Sequence, residues 1–105
     1  MSLAFVPPVE VADAAAYGLA LRASRPPSQR CCTAVGLARA RDLANRRPLS
    51  LRTVRRMASY FARHAVDARG RGWGVDSKGW QAWLLWGGDA GAAWVSDVLE
   101  AYGEE

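Results

Sequence analysis

Residues 50–65 read SLRTVRRMASYFARHA, and within them Arg52, Arg55, Arg56 and Arg63 recur at spacings that matter chemically. At 100° per residue these arginines and Ser59 share an arc of about 100° on one side of a helix, while Val54, Met57, Ala58 and Phe61 cluster opposite, with Leu51 at the edge. A guanidinium stays charged at neutral pH and presents a planar fork of N–H donors that fits two phosphate oxygens at once. No acid lies in this helix to relieve the repulsion among the four cations, a few tenths of a kcal/mol per close pair, so the pattern calls for an external anion. The loop that follows, Arg69-Gly-Arg-Gly-Trp-Gly74, adds Arg69 and Arg71 on a backbone that glycine lets approach a phosphate chain closely. Trp73 in that loop, flanked by arginine, is the indole best placed to stack on an unpaired base.

Other chemistry finds little support. His64 is the only histidine; beside Phe61 at the border of the apolar face, it reads as a structural hydrogen-bonding group. Cys31 and Cys32 lack CxxC spacing, so no zinc site is expected. A Cys32–His64 nucleophile pair has no surrounding motif to support it. Gly70-Arg-Gly-Trp-Gly74 follows a helix rather than a strand and lacks the G-x-x-x-x-G-K-[ST] order of a nucleotide loop. The carboxylates Asp67, Asp76 and Asp89 are dispersed among turns, with Asp89 expected to cap a helix. The chain is therefore expected to be non-enzymatic, with no catalytic residue, metal or cofactor.

Charge is distributed unevenly along the 105 residues. All thirteen arginines lie between Arg22 and Arg71 against two acids, Asp42 and Asp67, a local balance of +11. Outside that segment Lys78 faces eight acids, a balance of −7, within a net charge of +4. A basic middle favours a polyanionic partner, and an acidic end could dock on the basic face of another copy. A GC-rich genome would also raise arginine over lysine. The N-terminus lacks the basic start of a secretion signal, and no apolar run approaches the roughly 18 residues of a membrane helix, so a soluble, intracellular protein is expected. Neighbouring cysteines cannot staple a fold, and Cys31 and Cys32 are expected as free thiols.

The elements that would position the arginines are short helices. Pro7-Pro8 precedes an alanine- and leucine-rich helix from Val9 to Ala23. Residues 24–32 carry Pro26-Pro27 and read as a loop, a candidate for mobility. A second helix runs from about Thr33 to Asn45, with Ala34, Leu37, Ala40, Leu43 and Ala44 at helical spacing. Ser50 is placed to cap the arginine-bearing third helix, Leu51 to about Ala65. A fourth spans about Trp80 to Trp86 and ends at Gly87-Gly88, and a fifth, capped by Asp89, spans Ala90 to Tyr102. No strand alternation is evident. The expectation is one all-α domain over residues 1–105, a compact orthogonal bundle of four to five short helices.

Four of the five tryptophans lie in Trp80–Trp94, WQAWLLWGGDAGAAW. Trp80, Trp83 and Leu84 share a face, Leu85 and Trp86 extend the apolar arc nearly all round, and Trp94 continues it on the fifth helix. In so small a chain these rings are expected to form the core.

The run Arg55-Arg-Met-Ala-Ser-Tyr-Phe-Ala-Arg-His64, the glycine-rich loop, and Trp83-Leu-Leu-Trp-Gly-Gly-Asp-Ala-Gly91 with Trp94 resemble a small domain of tailed-phage and prophage proteins. Its signature is an RM-x-S-[YF]-F-x-RH helix followed by W-x-x-WGGD-x-G-x-x-W. The resemblance extends to LANRRPLS and the proline-rich start, and so covers most of the chain. It implies association with phage head-region proteins such as portal, protease and morphogenesis components, and no enzymatic activity of the motif itself. Three departures stand out: an acid commonly follows the family's histidine where this chain has Ala65, Pro-Pro-Ser-Gln-Arg-Cys-Cys lies outside the pattern, and Ala92 and Ala93 stand where a basic residue often follows GGDAG. The leading expectation is a phage-type helical module that contacts nucleic acid through phosphates, by Arg52, Arg55, Arg56, Arg63, Arg69, Arg71 and Trp73, without strong base specificity. The alternative is a virion structural or capsid-assembly protein whose basic face meets phage head proteins or a second copy.

Overall fold

The computed structural model describes residues 3–103. It is an all-α bundle of five helices, α1 (Val9–Ser24), α2 (Ala34–Ala44), α3 (Leu51–His64), α4 (Lys78–Leu85) and α5 (Gly88–Tyr102). Two short 3₁₀ segments, Pro27–Gln29 and Ala65–Arg69, lie between them. A minimal antiparallel ribbon not anticipated from the sequence pairs β1 (Ala4–Phe5) with β2 (Leu49–Ser50), in the register Ala4↔Ser50 and Phe5↔Leu49. Two-residue strands show no alternation to read, and this pair is fixed by tertiary contact rather than by pattern.

α1 lies against α2, α4 and α5, and α3 packs chiefly on α5. Gly18 of α1 sits at a close approach to α4. A Cβ there would sit 2.8 Å from Leu84 Cβ and 3.0 Å from the Leu85 nitrogen, so α1 meets α4 almost backbone to backbone. The main core gathers Val11, Leu43, Val54, Met57, Phe61, Trp83 and Val95 from all five helices. Each fully buried aliphatic side chain contributes about 1.5–3 kcal/mol of transfer free energy. Of the five indoles Trp83 alone is buried; Trp73, Trp80, Trp86 and Trp94 are half-buried against the same core.

Helix starts follow their caps. Thr33 accepts from the Gly36 N–H at 3.4 Å, Ser50 from Thr53 at 3.2 Å and Ser77 from Trp80 at 3.1 Å. The Ser77 cap starts α4 at Lys78, two residues ahead of the sequence expectation. The expectation that Asp89 caps α5 is not met. Gly87 (φ 113°) and Gly88 (φ 66°) both take left-handed backbone, so the helix begins earlier, with Gly87 at the N-cap position. Asp89 thereby falls in the first turn, where a carboxylate suits the helix N-terminus, and its Oδ1 accepts the Trp83 indole N–H at 2.8 Å.

Residues 24–32 are hydrogen-bonded to the rest of the chain at several points. Arg30 Nε donates to the carbonyls of Arg22 (3.1 Å) and Arg25 (2.8 Å), closing the C-terminal end of α1. Fully buried Gln81 donates from Nε2 to Gln29 O (2.9 Å) and to Asp76 O (3.0 Å), and its Oε1 accepts from the Cys31 N–H (3.1 Å). The expectation of two free thiols is also corrected: Cys31 and Cys32 are joined as a vicinal disulfide. Left-handed backbone at Cys32 (φ 82°) accompanies this turn, which leads directly into the Thr33 cap of α2. No helix among the described residues is long and apolar enough to cross a membrane.

Candidate nucleic-acid interface

The capped start at Ser50 fixes the phase of α3, and burial of Val54, Met57, Tyr60 and Phe61 turns the opposite side outward. Arg52, Arg55, Arg56, Ser59 and Arg63 are all exposed there. Among the described residues none of these four arginines forms an ion pair; Arg63 Nε makes only a long bond, 3.4 Å, to its own helix at Ser59 O.

The other arginines divide by task. Arg22, Arg30 and Arg46 spend their Nε–H on backbone carbonyls, Arg46 reaching Pro7 O at 2.8 Å. Arg25 and Arg47 face Asp76 (3.5 Å) and Asp42 (3.7 Å). Part of the basic middle is therefore structural, and the sequence balance of +11 overstates the charge free to meet an anion. Arg69 and Arg71 are exposed on the loop after α3 without an ion pair among the described residues.

Trp86, at the C-terminal end of α4, lies beside this cationic face. A shallow cleft of about 380 Å³ is lined by Arg52, Arg55, Arg56, Ser59, Arg63 and Trp86. A second, of about 320 Å³, lies between α2, α3 and the end of α4 and shares Arg56 and Trp86 with the first. Arg39 of α2 and the Cys32–Thr33 turn complete its walls, while Gly36 and Ala82 contribute little side-chain bulk. Arg69, Arg71 and Trp73 line neither cleft. Trp73 instead turns into the aromatic core, edge-on to Trp80 (5.0 Å) and Trp83 (5.4 Å). The indole beside the arginines is thus Trp86, and Arg39 joins from another helix. An aromatic residue in a nearly all-apolar run carries no sequence mark of facing a cationic helix, and Arg39 belongs to no periodic set.

Behind the clefts runs a stack of rings. Tyr60 lies between His64, at 4.5 Å and 26°, and Trp86, at 4.5 Å and 5°. His64 Nδ1 is 3.0 Å from Asp67 Oδ2, so an acid partner is found one helical turn on, despite Ala65 following the histidine directly. The Tyr60 hydroxyl is buried without a hydrogen-bond partner, and burial, followed by the charge of Asp67, pushes its phenol well above the ordinary value of 10.0. No hydrogen bond joins Cys32 to His64: the one is bonded to Cys31, the other to Asp67. Among the described residues no cluster of three His, Cys, Asp or Glu has metal-binding geometry.

The chain matches no family model, and neither curated proteins nor solved structures give a significant match.

Proposed function

We propose that this chain is a non-enzymatic, phage-type helical module that binds nucleic acid through its phosphates, in the host cytoplasm or a virion. The observation that carries this reading is the exposed face of α3, where Arg52, Arg55, Arg56 and Arg63 have no carboxylate partner among the described residues. Fixed cations on one helical face, with the opposite face locked in the core, form a preorganised track for successive phosphates. Arg69 and Arg71 extend the positive field from the adjoining loop. Neither Asn nor Gln stands on the α3 face, so base-edge readout is not part of the proposal.

The test is a titration of duplex DNA at several salt concentrations. Each phosphate contact contributes about −0.9 to the slope of log K against log salt, and each Arg→Ala change on α3 should flatten that slope by about one contact. Binding that ignores salt, or that survives combined R52A, R56A and R63A substitution, sinks the reading.

A second reading has one specific observation behind it. α5 exposes Asp89, Asp97 and Glu100, an acidic surface that complements the basic face of another copy. As an assembly contact this requires a salt-sensitive oligomer in the absence of nucleic acid, which light scattering would report.

A further inference from the structure

We infer that the cleft between α2, α3 and the end of α4 seats one unpaired base, so that the partner is single-stranded nucleic acid. This inference rests on the phosphate-binding reading above and specifies its substrate. The cleft adjoins the arginine cleft, with Arg56 and Trp86 lining both, so a strand whose phosphates follow α3 passes beside it. Its volume of about 320 Å³ is at the small end of ligand clefts, which begin near roughly 300 Å³, a size suited to one base and too small for a paired, stacked duplex.

The lining suits the faces and edges of a base. The ring series His64–Tyr60–Trp86 ends at Trp86, a half-buried indole against which a base can form the next rung. Val35, 74% exposed on α2, offers an apolar rim without an intramolecular role. Arg39 and Arg56 supply cations from two different helices, and a guanidinium also stacks on a base or donates to its edge. Tyr60, 5% exposed, also contributes to the cleft wall. The Cys32–Thr33 wall is fixed because Gln81 holds Cys31 by its N–H and Arg22 Nε holds it by its carbonyl, at 2.7 Å. The cleft therefore exists before any ligand arrives.

The experiment compares a short oligothymidylate, an abasic strand of equal length and a duplex at low salt, by fluorescence anisotropy of labelled strands. Expected is binding of the oligothymidylate roughly tenfold or more tighter than that of the abasic strand, the scale of one base–aromatic stack. Trp86→Ala should erase that difference while leaving the salt slope unchanged. Gly36→Leu should do the same by filling the cleft, in a helix that leucine favours over glycine, so the test does not depend on one variant folding. Equal binding of base-bearing and abasic strands, or a difference that survives both substitutions, overturns the inference while leaving phosphate binding in place. If neither strand nor duplex binds, the phosphate-binding reading falls and this one with it.

Discussion

Tyr60 and Trp86 lie ring on ring, 5° from parallel with centroids 4.5 Å apart, although one belongs to the arginine helix and the other ends α4. The stack ties the cationic face to the glycine turn after Trp86, and it leaves the Tyr60 hydroxyl buried and unpaired. Tyr60→Phe is expected to keep the stack and shed that hydroxyl, leaving stability unchanged or raised by about 1 kcal/mol. Tyr60→Leu removes the partner of both His64 and Trp86 and should cost about 2 kcal/mol. Urea unfolding midpoints would separate the two, and a loss in Tyr60→Phe as large as in Tyr60→Leu would mean that the hydroxyl, not the ring, is what stabilises.

The same phenol sets an alkaline limit. Its folded value is raised above the unfolded 10.0, so the folded state keeps a proton that the unfolded state has given up. The contribution is fully present below pH 10 and is lost as pH rises beyond it, because the unfolded chain then binds fewer protons. The slope for one group is at most about 1.4 kcal/mol per pH unit. Stability measured from pH 9 to 11.5 should fall more steeply in the native protein than in Tyr60→Phe, and parallel curves would show that Tyr60 does not contribute.

The helices were legible because their signals are local. Ser50 and the alternation of cation and apolar residue over 51–63 fix α3 without reference to the rest of the chain, and the outward arginines follow from that alone. What the sequence could not supply was the partner of each ring. Trp73 carries the adjacent arginines that suggest stacking on a base, yet two indoles of α4 draw it inward; Trp86 carries no such neighbours and reaches them through the fold. Asp89 showed the same limit, since whether an acid caps a helix or accepts an indole N–H depends on where two left-handed glycines start that helix. The role of Gln81 rests on partners 50 and 52 residues away, which no spacing rule connects.

Gln81 is the next position to test. Its amide is fully buried and serves Cys31 N, Gln29 O and Asp76 O together. Gln81→Leu preserves bulk but strands three backbone groups, and is expected to cost about 2–4 kcal/mol. The loop should loosen before the core does. Hydrogen exchange at the Cys31 amide should therefore accelerate more than exchange at Met57 in α3; equal acceleration at both would indicate global destabilisation alone.

The bond from Trp83 Nε1 to Asp89 Oδ1, 2.8 Å long, spans the glycine turn and joins the last turns of α4 to the first turn of α5. Because the acceptor is ionised, the bond is stronger than one between neutral groups, and the charge also faces the α5 N-terminus. Asp89→Asn retains an acceptor oxygen but loses the charge, while Asp89→Ala loses both and should destabilise by about 1.5–3 kcal/mol. The effects of the charge at the helix terminus and of the indole bond separate in a double-mutant cycle with Trp83→Phe. If the indole bond dominates, Asp89→Ala should cost little once Trp83 is phenylalanine, a coupling of about 1 kcal/mol or more. Additive losses would assign the role of Asp89 to its charge at the α5 N-terminus instead, leaving the indole bond without net effect.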